Sequence, residues 1–223
     1  MVSCLDIIRL LINDTYYMAV LIIFLGNPGI KYKKTRHNYG KMVCSGLEKR
    51  FPALFWRKKF NSDFTEIPAN FATIPANFAT LPADGQSKIL LLCPGQYMNN
   101  SGTGAAACAQ FFSIPTEKII VIHDDLETPF GSYVFQRGGG LAGHNGLRSI
   151  SGALGSNDFY RLKMGIGRPD RGSVSSFVLG RFSPLEESQL PDCIESAVEL
   201  LYRSFSSENL KNQPVGRFTV FTS

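Results

Sequence analysis

The run AVLIIFLGNPG, residues 19–29, decides the fold class of this 223-residue chain. Seven consecutive apolar residues end at a Gly-Asn-Pro-Gly turn, which is the pattern of a strand buried on both faces. Such strands occur mainly in parallel sheets that helices cover on both sides. The run therefore predicts an α/β domain with a loop at the carboxyl end of this strand.

Further strand and helix patterns alternate along the rest of the chain. Apolar runs bounded by turn residues predict strands at 88–93, 118–123, 132–136 and 159–166. Helical patterns lie at 39–51, 101–112, 144–154 and 184–205. Because strands and helices alternate, we expect a single α/β domain over residues 18–223, with a mixed, mostly parallel twisted sheet surrounded by helices.

Two segments fall outside this alternation. Met18 stands directly before the first strand, and residues 1–17 lack the cationic start of a signal peptide. We therefore expect 1–17 to be a dispensable extension, or a segment ahead of the true start. The unit IPANFAT occurs at 67–73 and again at 74–80, a period that fits neither a coiled coil nor a solenoid. We expect residues 65–84 to form a surface loop or hairpin tip.

The composition excludes several classes of protein. Five scattered cysteines without a C-x-x-C pair argue against a zinc site and a disulfide framework, and favour a reducing cytoplasm. No apolar run approaches the roughly 20 residues that span a bilayer. Lys and Arg total 23 against 18 Asp and Glu, a net charge of +5 that fits either an ordinary basic surface or a polyanionic partner.

Polar residues collect after the predicted strands, where open α/β sheets bind their ligands. All three histidines lie in these loops, with His37 in TRHN (35–38) and Asp124 directly after the strand at 118–123. A histidine oriented by a carboxylate can activate a serine or a water. Because no serine stands in a G-x-S-x-G elbow, we favour water. Taken alone, His37 also fits a solvated loop histidine.

Three neutral amides and two arginines accompany this pair. Asn27, Asn99 and Asn145 suit recognition of an uncharged polar chain such as a peptide backbone, and one of them could stabilise an oxyanion. Each asparagine also fits a purely local role in turn geometry. Arg137 and Arg161 lie among basic residues beside these loops and are candidates for contacts with nucleic-acid phosphates.

Two other interpretations compete with this site. Residues 138–143 match the G-x-G-x-x-G dinucleotide pattern, but Asp158 stands before the next strand instead of at its end, so the context fails. The His123-Asp124-Asp125 run could bind a metal together with His144 or His37, although no ligand spacing supports it. We expect a site without metal or other cofactor, and keep a metal-dependent esterase and a non-enzymatic RNA-binding module as alternatives.

Five blocks of the sequence, in order, resemble the bacterial peptidyl-tRNA hydrolase family: LGNPGIKYKKTRHNYG, GQYMNNSG, IIVIHDDLETPFGS, GGGLAGHNGLRSI and FYRLKMGIGRP. The resemblance covers residues 19–205 and implies a monomeric, cytoplasmic, metal-free α/β enzyme. Such an enzyme hydrolyses the ester between a peptide and the tRNA 3′ end, and so recycles tRNA from peptidyl-tRNA released by ribosomes. Its partner would be peptidyl-tRNA, bound through the acceptor stem and the peptide backbone, with no membrane and no obligate protein partner.

The resemblance also assigns roles to single residues. His37 matches the general base, Asp124 the residue that supports it, and Asn27 the residue that helps to distinguish a blocked aminoacyl group from a free one. Substrate-binding positions match Tyr32, Tyr97, Asn99 and Asn145. Where the family often has a lysine before the glycine-rich turn, this chain reads Phe135-Gln136-Arg137, so a phosphate contact there falls to Arg137 or is lost.

Overall fold

The computed structural model describes residues 4, 7, 8, 19–68, 88–205 and 218–219. Its strands are β1 (Ala19–Phe24), β2 (Arg57–Lys59), β3 (Ser62–Pro68), β4 (Lys88–Pro94), β5 (Ile119–Asp125), β6 (Ser132–Arg137), β7 (Tyr160–Gly165) and β8 (Phe218–Thr219). Its helices are α1 (Tyr39–Arg50), α2 (Ser101–Phe111), α3 (Asn145–Leu154), α4 (Val174–Leu179) and α5 (Pro184–Phe205). Within the described ranges, no helix combines the length and the hydropathy needed to cross a membrane.

The strands form one mixed sheet in the order β2-β3-β4-β1-β5-β7-β6-β8. The four central strands β4, β1, β5 and β7 run parallel. Antiparallel strands extend both edges, with β3 and β2 beyond β4, and β6 and β8 beyond β7. The prediction of a single α/β domain with a mixed sheet is confirmed, and its parallel part is the centre of the sheet.

The apolar run of β1 is explained by burial on both faces of the sheet. Successive side chains of a strand point to opposite faces. Val20, Ile22 and Phe24 join an apolar cluster with residues of α1 and α5. The alternate residues Leu21 and Ile23 join a second cluster with residues of α2 and α3. Helices thus cover β1 on both sides, which places its carboxyl end at the rim of the sheet.

The first residues of the segment 65–84, expected to be a surface loop or hairpin tip, lie in a strand. Residues 65–68 belong to β3, which pairs with β4 along seven positions. The hairpin from β2 to β3 turns at Phe60 and Asn61, which have φ values of 55° and 51°. That turn lacks the glycine by which such hairpins are recognised in a sequence. The remainder of 65–84, with most of the IPANFAT repeat, lies outside the described residues.

The described residues that precede β1 pack against the domain. Cys4 and Ile8 are helical and belong to the same apolar cluster as β1 and α5, and Ile8 has no exposed surface. Burying a side chain of this size contributes about 1.5–3 kcal/mol. The expectation that residues 1–17 are dispensable stays a prediction, and the packing of Ile8 makes it testable because removal of that side chain would uncover part of the core.

Candidate active site

A cleft of about 730 Å³ opens where the parallel strands end. It brings together eight of the nine site residues predicted from the sequence: Asn27, Tyr32, His37, Tyr97, Asn99, Asp124, Asn145 and Arg161. The glycine-rich turn before α3 and one side of α4 contribute further walls. The polar loops therefore converge at the carboxyl ends of the strands, which is where open α/β sheets bind their ligands.

The start of α1 lies directly against the ends of β1 and β5. A Cβ atom on Gly40 would lie 2.4 Å from the carbonyl oxygen of Ile122 and 2.6 Å from that of Leu25. Only glycine permits this approach. The short helical turn before α1 therefore carries His37 to the end of β5, where Asp124 lies.

The two residues that flank His37 in the sequence, Arg36 and Asn38, fix its position through their side chains. The guanidinium of Arg36 donates to the carboxylate of Glu186 at 2.7 Å. The side chain of Asn38 accepts from the backbone N–H of Asn27 at 2.9 Å and donates to its carbonyl at 3.0 Å. The loop after β1 and the start of α5 are thus both tied to the residues that flank His37.

His37 and Asp124 form a buried pair. Nδ1 of His37 lies 3.0 Å from each carboxylate oxygen of Asp124, and the two side chains are only 9% and 2% exposed. A carboxylate only accepts hydrogen bonds, so the imidazole proton lies on Nδ1. Nε2 is then the nitrogen that can accept a proton from a molecule in the cleft. This is the geometry of a general base with an orienting acid.

His144 donates to the same carboxylate, a contact that the sequence did not predict. Its Nε2 lies 3.0 Å from Oδ1 of Asp124. Its Nδ1 caps α3 by accepting from the backbone N–H groups of Gly146 at 3.1 Å and Leu147 at 3.3 Å. Burial would raise the pKa of Asp124, but the donors on His144 and His37 lower it well below its usual range. Asp124 is thus held as a carboxylate.

His123 lies behind this cluster and is fully buried. Its Nδ1 donates to the backbone carbonyl of Asp124 at 2.7 Å, and its ring packs edge-on against His144. Its Nε2 has no hydrogen-bond partner in the part of the chain that the structure describes. Burial, with a smaller effect of His144, lowers the pKa of His123 to about 3. The ring is therefore neutral and supports the cluster from the sheet side.

The amide of Asn27 has a defined orientation. Its Oδ1 accepts a hydrogen bond from the backbone N–H of Met98 at 2.8 Å. The Nδ2 group of Asn27 is therefore available as a donor in the cleft. The rings of Tyr32 and Tyr97 meet edge to face with centroids 6.2 Å apart. Asn99 and Asn145 lie exposed on the cleft walls. Two aromatic rings and three amides therefore line the space in front of His37.

Arg161 lines the cleft, but its burial gives the predicted phosphate contact no support. Arg161 is 1% exposed, and its terminal N–H groups donate to the carbonyls of Gly140 at 2.7 Å and Gly139 at 3.0 Å. Its donors therefore hold the glycine-rich turn from beneath. Two residues along β7, Lys163 reaches the cleft on the same face of the strand and pairs with Asp125 at 3.3 Å.

Arg137 lies outside the cleft. Its guanidinium forms a double hydrogen bond with the carboxylate of Asp158, at 2.9 and 2.7 Å, and both side chains are about half exposed. A phosphate would have to compete with that carboxylate, so the structure lends the predicted contact of Arg137 no support.

His37, Asp124 and His144 are close enough to be considered as metal ligands, with candidate atoms within 4.8 Å of one another. The donor set does not fit a metal as it is arranged. Nδ1 of His144 accepts two backbone N–H groups, so the proton of the neutral ring lies on Nε2. The nitrogen that faces Asp124 thus carries a proton where a metal needs a lone pair.

The fold and the site define a class: an α/β enzyme with a histidine–carboxylate pair at the carboxyl end of a parallel sheet. The chain belongs to the peptidyl-tRNA hydrolase family, whose profile matches residues 21–220. This confirms the resemblance carried by the five sequence blocks.

Individual relatives agree with this assignment. The peptidyl-tRNA hydrolase of Geotalea daltonii is 43% identical over 185 residues, which cover 82% of this chain and 89% of the relative. That of Kineococcus radiotolerans is 39% identical over 198 residues, covering 86% and 96%. The crystal structure of peptidyl-tRNA hydrolase from Acinetobacter baumannii superimposes with a TM-score of 0.68 at 30% identity, covering 85% of this chain and 95% of that one.

Proposed function

We propose that this protein hydrolyses the ester bond between a peptide and the 3′ end of tRNA, using water activated by His37. The observation that carries the mechanism is the 3.0 Å contact between Nδ1 of His37 and the carboxylate of Asp124. That contact directs the lone pair of Nε2 toward the cleft.

The reaction follows from this geometry. A water attacks the ester carbonyl carbon while its proton passes to Nε2 of His37. Asp124 stabilises the imidazolium that forms, and its own low pKa keeps it ionised. The tetrahedral intermediate then collapses: the bond to the ribose oxygen breaks, and His37 returns its proton to that oxygen. The peptide leaves with a free carboxylate and the tRNA with a free hydroxyl.

Asn27 is the better placed of two candidates to stabilise the oxyanion. Because Met98 occupies its Oδ1, its Nδ2 is available as a donor, and an oriented donor of this kind is worth about 3–4 kcal/mol in the transition state. Asn99 is the second candidate. In this proposal Asn99 and Asn145 bind the peptide backbone, and Tyr32 and Tyr97 border it. A free aminoacyl group carries an ammonium where the peptide bond belongs and fits these amides poorly.

We further propose that the enzyme acts as a monomer, without a metal, in the cytoplasm, where it recycles tRNA from peptidyl-tRNA that ribosomes release. The donor set around Asp124 supports the metal-free part of this proposal, because Nε2 of His144 presents a proton to the carboxylate.

Release of the acyl group from N-acetylaminoacyl-tRNA, with and without a chelator, tests the proposal. We expect release in both conditions. A metal-dependent esterase would stop when the chelator is added, and a non-enzymatic RNA-binding module would release nothing. In Asp124→Asn the amide would donate to Nδ1 of His37 and leave the proton on Nε2. We expect kcat to fall about 10⁴-fold, as it does when the orienting Asp of a serine protease is replaced.

A further inference from the structure

A second groove lies beside the catalytic cleft. It has a volume of about 940 Å³ and lies between the loop after β1, one side of α1 and the first half of α5. Asn27 lines both this groove and the cleft, so the short Asn27–Gly29 turn separates them. Whatever occupies the groove therefore lies next to the ester that the cleft would hold.

Basic side chains line one wall of this groove, which we name the lysine groove after Lys33, Lys34, Lys41 and Lys49. None of the four has a carboxylate within ion-pair distance among the described residues. On the α5 side, Glu195 contacts Arg50 at 3.6 Å, and Glu187 is the other carboxylate of the lining. The balance of charge in the groove is positive, so it fits an anion.

Lys41 is the most telling of these lysines. Its stem packs under Gly26, where an added Cβ would lie 2.8 Å from Cγ of Lys41. Burial, the largest effect, lowers the pKa of this lysine, while Cys93 and the more distant carboxylate of Asp63 act in the opposite direction. Lys41 forms no ion pair among the described residues, and a partly buried cation without a partner in contact is costly. An anion bound in the groove would offset that cost.

The floor of the lysine groove is apolar, formed by Met42, Phe182, Leu190, Pro191 and Ile194. Cations beside an apolar floor fit a ligand that carries phosphates and flat, weakly polar faces. An unpaired RNA strand has both, because its bases are free to pack against protein side chains. In a duplex the bases are stacked on one another and unavailable.

The position of the groove selects which part of the RNA it fits. An ester has an acyl side and an alcohol side. The amides of Asn99 and Asn145 suit the peptide and line the cleft only, while the lysines lie across Asn27 from them. The alcohol side of the ester is the terminal ribose of tRNA, which ends an unpaired strand.

We infer that the lysine groove binds the phosphates of the unpaired 3′ strand of tRNA that leads to the ester. The inference rests on the proposed function, since it takes peptidyl-tRNA as the substrate. Lys34 and Lys49 are exposed and make no described ion pair, so their contacts are with solvent until the RNA binds.

The test compares two double variants with the same loss of charge. Lys34→Gln with Lys49→Gln removes two groove cations. Arg57→Gln with Lys88→Gln removes two exposed cations that both pair with Glu66 outside the groove. Three quantities are measured for each full-length variant: affinity for deacylated tRNA against salt, KM for N-acetylaminoacyl-tRNA, and hydrolysis of N-acetylaminoacyl-adenosine, which has no phosphate.

Each single-strand phosphate contact contributes about 0.7 to the slope of log affinity against log salt. We expect the groove variant to lose about 1.4 of that slope, to raise KM for the tRNA substrate, and to hydrolyse the adenosine ester like the native protein. The control variant should match the native protein in all three. An unchanged slope in the groove variant would overturn the inference, as would equal losses on both substrates. If the proposed chemistry is wrong, His37 variants will instead hydrolyse both substrates as fast as the native protein does.

Discussion

His144 donates from Nε2 to Oδ1 of Asp124 at 3.0 Å while its Nδ1 caps helix α3. The cap consists of backbone N–H groups, which only donate, so it fixes the tautomer of the ring. The start of a helix thus sets the protonation of a side chain in the active site. Asp124 receives two imidazole N–H donors as a result, one from His144 and one from His37.

Replacing His144 with asparagine separates its two tasks. Asparagine is a good helix cap, but it is too short to keep the donor at Asp124. We expect stability to change little and kcat to fall by about ten-fold or more, since the carboxylate loses one of two charged hydrogen bonds. The acid limb of the kcat/KM profile should move to higher pH, because Asp124 loses one of the two donors that lower its pKa.

The contrary outcome is that His144 acts only as a helix cap. If His144→Asn left kcat and the pH profile unchanged, the link between the cap and the carboxylate would be wrong. Ser173→Asn, which replaces the cap of α4, serves as the matched control and should leave the pH profile in place.

Arg36→Lys tests how His37 is positioned. The guanidinium of Arg36 donates to Glu186 and to the carbonyl of Arg181, and lies 4.1 Å over the ring of Phe177. Lysine keeps the charge but cannot form this fork, and the loss of a buried charged hydrogen bond costs about 1.5–3 kcal/mol. We expect a lower free energy of unfolding together with a lower kcat, measured below the melting temperature.

The matched control for this variant is Arg57→Lys, at an exposed arginine that pairs with Glu66 outside the cleft. It should leave both quantities close to native, because exposed pairs contribute about 0–1 kcal/mol. A normal kcat in folded Arg36→Lys would mean that Arg36 supports the fold alone.

Ile8→Ala tests the packing of the segment before β1. Ile8 has no exposed surface and lies in the core cluster, so truncation should lower the free energy of unfolding by about 2–5 kcal/mol. Ile30→Ala removes the same atoms from a side chain that is 86% exposed, and we expect a change within about 0.5 kcal/mol. Chemical denaturation measures both. Equal, small effects would support the prediction that residues 1–17 are dispensable.

His123 predicts a loss of stability in mild acid. Its pKa is about 3 in the folded protein, against about 6.5 in an unfolded chain. Between these values the unfolded state binds the extra proton, so stability falls as pH drops. We expect His123 to account for about 2 kcal/mol of the loss between about pH 7 and 5.

His123→Asn removes this titration while keeping a donor for the carbonyl of Asp124. The free energy of unfolding of the variant should therefore depend less steeply on pH over the same interval, whatever its value at neutral pH. Asp124 contributes in the same direction only at lower pH, since its folded pKa is depressed. Parallel curves for the two proteins would contradict the assignment.

Much of the site could be predicted from the sequence because residues that directly follow parallel strands lie together at one edge of the sheet. His37 and Asp124 both follow apolar runs, and neighbouring parallel strands end at one edge of the sheet. The role of His144 could not be predicted in the same way. It depends on a helix cap and a side-chain direction, which become visible only when α3 is placed beside β5.

The features that the sequence did not reveal have equally local causes. Arg161 and Lys163 stand two apart on β7 and so share a face. Only the packing of the glycine-rich turn decides that Arg161 donates to that turn while Lys163 pairs with Asp125. The edge strand β2 went unpredicted because its residues, Arg57–Lys59, are all cationic and carry no apolar pattern. The buried Ile8 lies in a short segment whose role depends on distant core residues.

The most direct measurement of the central claim is the turnover of His37→Ala on N-acetylaminoacyl-tRNA, paired with its affinity for deacylated tRNA. Loss of a general base costs about 10²–10⁴-fold, so we expect kcat to fall by that amount while the tRNA affinity stays within about two-fold of native. A kcat within about three-fold of native, with tRNA still bound, would contradict the assignment of His37 as the base.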